Sequence, residues 1–151
     1  MKLRFIPTSV HAVVDHIVGP TLVITPTLLR LERTSPEGLS ARAVGGVQAV
    51  YSNLTDYETS VRNVLPMKAH LALDAVGGAT LALVPQLTGA RRRGKNHWLP
   101  HLAIGALQEG MAVLTKTEPP KKPGRTEKIA KLVANARVAK GAAENAVRAI
   151  L

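Results

Sequence analysis

The segment PTSVHAVVDHIVG (residues 7–19) decides the fold, because PMKAHLALDAVGG (residues 66–78) nearly repeats it. Each segment places a histidine four residues before an aspartate inside an apolar run. The repeat continues beyond both segments, first at an offset of 59 residues and then of 60, as an insertion in the intervening loop would produce. The chain is therefore predicted to be two copies of one unit followed by a tail. The identical pairs at an offset of 59 are Pro7 and Pro66, His11 and His70, Asp15 and Asp74, Gly19 and Gly78, Thr21 and Thr80, Leu22 and Leu81, Pro26 and Pro85, and Leu28 and Leu87. At an offset of 60 they are Ala43 and Ala103, Gly45 and Gly105, Gln48 and Gln108, Leu54 and Leu114, Thr55 and Thr115, and Glu58 and Glu118.

Each repeat contains two apolar segments that are long enough to cross about 30 Å of hydrocarbon as helices. Alternation of apolar and polar residues with a period of two is absent, so strands are not expected. Small residues in AVGGVQA, AVGGAT and AIGALQEG favour close packing of helices in lipid. The sequence predicts an all-α fold with four transmembrane helices, arranged as two tandem, pseudo-two-fold helix hairpins. The predicted spans are about residues 8–29, 40–57, 67–88 and 98–115.

The predicted domain organisation has three parts. A four-helix transmembrane domain covers residues 1–118, with repeat 1 at about 5–58 and repeat 2 at about 64–118. A Pro/Lys-rich linker follows at 119–127, and a basic amphipathic helix at 128–151 is expected to bind an anionic membrane surface or a partner.

The repeats resemble the SPW-repeat family of small integral membrane proteins. The resemblance covers about residues 5–118 and is carried by HAVVDHIVG, LTDYE, MKAHLALDAVGG and WLPHLAIGALQEG. At the Ser-Pro-Trp motif the two copies read Thr25-Pro26-Thr27 and Val84-Pro85-Gln86, so that only the proline is kept. The resemblance implies a four-helix membrane fold, and it implies no particular reaction.

Ionisable residues inside the apolar segments are the candidate site. Residues four apart share one face of a helix, so His11 and Asp15 are expected to meet His70 and Asp74 across the bundle axis. An intramembrane polar network is therefore predicted, because a carboxylate in hydrocarbon is costly unless it is paired. Its predicted members are His11, Asp15, His70, Asp74, Gln108 and Glu109.

Three interpretations of this network stay open. The first is a structural lock between the repeats. The second is a cofactor site in which His11 and His70 are the axial ligands of a haem or chlorin. The third is a path for protons or metal ions through the carboxylates. His16, His97 and His101 are expected at the interface, with Trp98 as an anchor. The sequence lacks phosphate-loop, nucleophile-elbow and zinc-protease motifs, so no enzyme is expected.

Basic residues are concentrated in the loops between the apolar segments and in the C-terminal tail. The formal net charge is +10, and there is no cysteine. Basic residues in the loops and tail are expected at the membrane surface, and we expect an integral membrane protein (in the cytoplasmic membrane if bacterial) with its termini in the cytoplasm. It is expected to be a scaffold or accessory subunit among partner subunits, for example of an energy-transducing complex. A soluble basic helical bundle that binds nucleic acid is the remaining alternative. The predicted membrane-surface residues are Arg91, Arg92, Arg93, Lys95, Lys121 and Lys122.

Overall fold

The computed structural model describes residues 3–119, 132–142 and 145. The chain divides into two units, Met1–Pro119 and Pro120–Leu151. The described part of the first unit contains helices and two isolated β-bridges, and the predicted all-α fold is confirmed. Its elements are α1 (Thr8–Leu28), α2 (Pro36–Leu54), α3 (Met67–Leu87) and α4 (Leu99–Leu114), with short 3-10 helices at Ala90–Arg93 and Lys95–His97 between α3 and α4.

Proline and serine set the starts of the helices. Pro7 and Pro66 stand immediately before α1 and α3, where a missing N–H costs the helix nothing. Ser35 caps α2 by accepting a hydrogen bond from the Gly38 N–H at 3.3 Å, and Pro36 follows as the first helical residue. Because of this Ser-Pro start, α2 begins at Pro36 rather than near residue 40.

The two repeats have similar structures, and the start of each one pairs with the end of the other. Both α1 and α3 have 21 residues. Ile6, before α1, forms a parallel bridge with Thr115 after α4, and Leu65, before α3, forms one with Thr55 after α2. Each repeat therefore starts by pairing with the end of the other repeat.

Glycines allow the two helices of each hairpin to approach closely. A Cβ atom on Gly45 of α2 would lie 2.6 Å from the carbonyl oxygen of Gly19 in α1. In the second hairpin, a Cβ atom on Gly105 would lie 2.7 Å from the carbonyl oxygen of Gly78. Between the hairpins, α2 packs against α3. The sequence repeat thus preserves the backbone contact that brings each helix pair together.

The first unit buries many polar side chains beside a small apolar core, and it exposes many apolar ones. Apolar side chains near the middle of all four helices are exposed, whereas polar side chains are buried between the helices. The exposed ones include Ile17, Val47, Val76 and Leu107. The buried polar residues of the helices include His11, Asp15, Gln48, His70, Asp74 and Gln108. Exposed apolar side chains at the middle of every helix, with polar ones buried between the helices, are unusual for a water-soluble bundle.

Among the described residues, one helix, Met67–Leu87, is long and apolar enough to cross a membrane. The sequence pattern predicts four such helices. Helix α4 has 16 residues, and α2 contains Glu37, Arg42 and Gln48, which lower its hydropathy. The length and composition of the other three helices therefore do not by themselves mark them as spans.

In the second unit, residues 132–142 are helical. Leu132, Val133 and Val138 of this helix are exposed. The predicted linker and the remainder of the predicted amphipathic helix at 128–151 lie largely outside the described residues.

Candidate functional site

Helices α1 and α3 bring the two His-Asp pairs together in the centre of the bundle. His11 and Asp15 lie one turn apart on α1, and His70 and Asp74 lie one turn apart on α3. Both histidines are fully buried, and the aspartates are 3% and 1% exposed. Asp15 lies about 10 Å along α1 from its first residue, because the helix rises 1.5 Å per residue.

Four side-chain atoms meet at one point between these helices. The Nε2 atoms of His11 and His70 are 3.0 Å apart. Each Nε2 atom is 2.9 Å from the carboxylate Oδ2 atom on the opposite helix and 3.2 Å from the Oδ2 atom on its own helix. We call these four side chains, His11, Asp15, His70 and Asp74, the His-Asp cluster.

Threonines from the opposite repeat hold the other nitrogen of each ring. His70 Nδ1 lies 2.7 Å from Thr55 Oγ1, and His11 Nδ1 lies 2.8 Å from Thr115 Oγ1. Each threonine follows the last residue of α2 or α4 and forms one of the two parallel bridges. The crossed ends of the repeats thus fix the orientation of both rings.

The carboxylates are held by a different and less symmetric set of donors. Gln48 Nε2 donates to Asp15 Oδ1 at 3.1 Å, and the Tyr51 hydroxyl donates to Asp74 Oδ1 at 2.5 Å. The Tyr57 hydroxyl lies 3.5 Å from Asp15 Oδ2. Burial and the neighbouring carboxylates raise the pKa of the Tyr57 phenol well above its usual range, so this phenol stays protonated.

The other two residues of the predicted network have different positions. Gln108 donates to Gln48 Oε1 at 2.8 Å, and Gln48 in turn donates to Asp15, so Gln108 is connected to the network only through Gln48. Glu109 is half-buried beside α3 and makes no hydrogen bond or ion pair within the described part of the chain. The prediction that places Glu109 in the network is not met, because its side chain leaves α4 on a different face from Gln108.

The geometry leaves no space for a haem or chlorin between the two histidines. A macrocycle with two axial histidines passes between the rings, whereas here the nitrogens are 3.0 Å apart and both carboxylates stand beside them. Imidazole nitrogens and carboxylate oxygens are, however, ligands of divalent metal ions. The donor atoms of all four side chains lie within 4.8 Å of one another.

A second buried cluster lies at the end of the bundle where α2 and α4 begin. Glu37, in the first turn of α2, is fully buried and accepts from Arg93 at 2.7 Å and from His97 at 2.6 Å. His101 Nε2 donates to the Glu37 carbonyl oxygen at 2.8 Å. His101, which is predicted at the interface, is 2% exposed, and its ring packs against the first turn of α2.

The remaining interfacial predictions fall on exposed or partly exposed residues. His16 is exposed, and Trp98 is half-buried under the guanidinium of Arg91, 4.6 Å from the centre of its ring. Arg91, Arg92, Arg93 and Lys95 lie on the exposed surface of the loop between α3 and α4. Lys121 and Lys122 lie outside the described residues.

Sequence reasoning did not find the residues that hold the cluster. Thr55 and Thr115 carry a detectable signal, because they are a duplicated polar pair at the same offset as Gln48 and Gln108. Tyr51 and Tyr57 have no such signal, since their equivalents in the second repeat are Met111 and Thr117. Their roles depend on how α2 is placed against α3.

Comparison with known proteins gives no match for this chain among protein-family models, curated proteins or solved structures.

Proposed function

We propose that the chain is an integral membrane protein of the SPW-repeat type in which all four helices cross the bilayer. It acts as a non-enzymatic scaffold or accessory subunit of a larger membrane complex. The observation that supports the proposal most is the inverted polarity of the first unit. Ile17 is 61% exposed and Val76 is 65% exposed, whereas His11 and His70 are 0% exposed.

Water would penalise this distribution and lipid would stabilise it. Exposed apolar surface costs free energy in water, on the order of 25 cal/mol per Å². In hydrocarbon the same side chains need no cover, and polar side chains instead turn inwards to pair with one another. The Gly19–Gly45 and Gly78–Gly105 contacts suit a bundle that packs by close backbone approach.

The scaffold role is supported by the interior, where the polar side chains bond to one another. Polar atoms of the His-Asp cluster face one another, and the threonines and glutamines around them are also committed to contacts within the bundle. The surface left for partners is therefore the apolar exterior, the basic loops and the tail. Partner subunits would pack on the exterior, and anionic lipid or a partner would meet the C-terminal helix.

Membrane extraction followed by mild-detergent purification tests the proposal. We expect the full chain to stay with the membrane pellet after an alkaline wash and to co-purify with defined membrane proteins. Release into the wash together with nucleic acid would support the soluble alternative and contradict the proposal. A visible absorbance band lost in His11→Ala and in His70→Ala would contradict the scaffold role in favour of a pigment protein.

A further inference from the structure

We propose that the His-Asp cluster is a closed binding site for one divalent first-row transition-metal ion, with zinc as its best-matched occupant. The ion would be bound by Nε2 of His11 and His70 and by Oδ2 of Asp15 and Asp74, and would join the two repeats at their centre. This site does not depend on the scaffold role or on the membrane location of the chain.

The separations of the four atoms match those of ligands that share one metal ion. Two ligands bound at about 2.0–2.1 Å lie about 2.9 Å apart at a right angle and about 3.3 Å apart at the tetrahedral angle. The five separations that involve a histidine nitrogen run from 2.9 to 3.2 Å. Five of the six separations therefore fit a shared ion, and the carboxylate donors of Asp15 and Asp74, which lie within 4.8 Å of each other, would move towards the ion as it binds.

Asp74 Oδ2 faces this point, and its only polar neighbours there are the two imidazole nitrogens. Asp74 is 1% exposed, and its Oδ2 atom lies 2.9 Å from His11 Nε2 and 3.2 Å from His70 Nε2, with no further hydrogen-bond donor. The two ring nitrogens lie 3.0 Å from each other. A carboxylate buried in this way needs a cation beside it, which is either a metal ion or a protonated imidazole.

The hydrogen bonds behind the cluster prepare His70 as a metal ligand. The Thr55 hydroxyl donates its only hydrogen to the Tyr51 carbonyl oxygen at 2.7 Å, so its oxygen must accept from His70 Nδ1–H. The neutral His70 ring then presents the lone pair of Nε2 to the cluster. Thr115 Oγ1 likewise lies 2.8 Å from His11 Nδ1, which leaves His11 Nε2 facing the cluster. Such outer hydrogen bonds are typical of metal-bound histidines.

Charge also points to a divalent ion. Two neutral imidazoles and two carboxylates carry a net charge of −2, which a divalent cation cancels. A neutral centre is what a low-dielectric interior tolerates best. Four protein ligands that leave no open position for water are typical of a structural rather than a catalytic zinc site. The competing state is metal-free, with two protonated histidines paired to the two aspartates.

Metal analysis of the purified full-length protein distinguishes these states. The wild type, Asp74→Asn, His70→Gln and the control Glu109→Gln would be produced in zinc-supplemented medium and analysed by mass spectrometry for bound metals. Glu109 is a suitable control because it is a partly buried carboxylate of α4 outside the cluster. We expect about one metal ion per chain in the wild type and the control, and at least a tenfold loss in both cluster variants.

A second measurement uses the wild type alone, in case the cluster variants do not fold. The protein would be treated with a chelator and titrated with Co²⁺, whose visible bands report tetrahedral coordination. We expect these bands to saturate at one equivalent and to disappear on addition of Zn²⁺. One equivalent of another first-row divalent ion at the same residues would also support the site. A folded wild type that binds no first-row divalent ion would overturn it, and the two-proton network would then stand.

Discussion

At the scale of single residues, Thr55 links the backbone of one repeat to the histidine of the other. Its hydroxyl donates to the Tyr51 carbonyl and accepts from His70 Nδ1. We predict that Thr55→Val, which keeps the shape of the side chain, lowers the free energy of unfolding by about 1–3 kcal/mol because a buried N–H loses its acceptor. Denaturant titration in detergent, followed by circular dichroism, measures the change.

Thr21→Val is the matched control for this substitution. Thr21 is exposed and bonds only to the carbonyl of Ile17 in its own helix. Its replacement should change stability by less than about 0.5 kcal/mol. Equal effects of the two substitutions would mean that Thr55 does not support the cluster.

A second residue-scale prediction concerns Tyr57. Burial raises the pKa of its phenol, so the folded state disfavours the phenolate. The unfolded phenol titrates near pH 10, so this contribution to stability is complete below about pH 10 and is lost as the pH rises further. In Tyr51→Phe, where Tyr57 is the remaining tyrosine, phenolate absorbance should appear only when the protein unfolds. A reversible titration near pH 10 in the folded protein would contradict the burial of this phenol.

At the scale of helices, the stability of the bundle depends on the glycine contacts within each hairpin. We predict that Gly45→Ala destabilises the bundle by about 1–3 kcal/mol, because the added methyl group would overlap the Gly19 carbonyl oxygen and Leu22. Gly46→Ala is the control, since a Cβ atom there meets nothing within 4 Å. Thermal unfolding in detergent compares them, and a similar loss in both variants would show that helix packing is not the cause.

The helices themselves could largely be predicted from the sequence, and the reasons are physical. The duplicated pattern of Pro7, His11, Asp15 and Gly19 fixes α1 and α3 and places both His-Asp pairs on inner faces. The start of α2 was harder to predict, because Glu37 looks like a loop charge until its partners Arg93 and His97, far along the chain, are known. Periodicity along one helix carries no information about such partners.

The centre of the site could be predicted from the sequence, but the residues around it could not. The repeat identifies the four residues of the His-Asp cluster, since duplication brings equivalent positions together around a pseudo-two-fold axis. It does not identify Tyr51 or Tyr57, which occur in one repeat only. Glu109, whose equivalent in the first repeat is Ala49, is predicted from its position beside Gln108 in the fourth apolar segment and not from the repeat. Contacts that break the symmetry depend on side-chain packing, which only the three-dimensional structure provides.

At the scale of the whole molecule, the apolar exterior should be as sensitive to charge as a lipid-facing surface. Val76 lies in the middle of α3 and is 65% exposed. Val76→Asp should reduce membrane insertion, at a cost of about 2.5–3.5 kcal/mol for a carboxylate at the helix centre. Val64→Asp, in the segment before α3, is the control, because Val64 is 70% exposed but lies outside the helices. Insertion is measured as the fraction of protein that resists alkaline extraction.

Cysteine accessibility tests the membrane-embedded, inverted bundle most directly, because the chain contains no cysteine. Ile17→Cys, Val47→Cys, Val76→Cys and Leu107→Cys each place a thiol at an exposed position near the middle of a different helix. Arg92→Cys places one in an exposed loop. In native membranes, we predict that a water-soluble maleimide labels the loop variant and leaves all four helix variants unlabelled until the membrane is dissolved and the protein denatured. Rapid labelling of the four helix positions in the folded protein would show that water covers these surfaces, and would contradict the account.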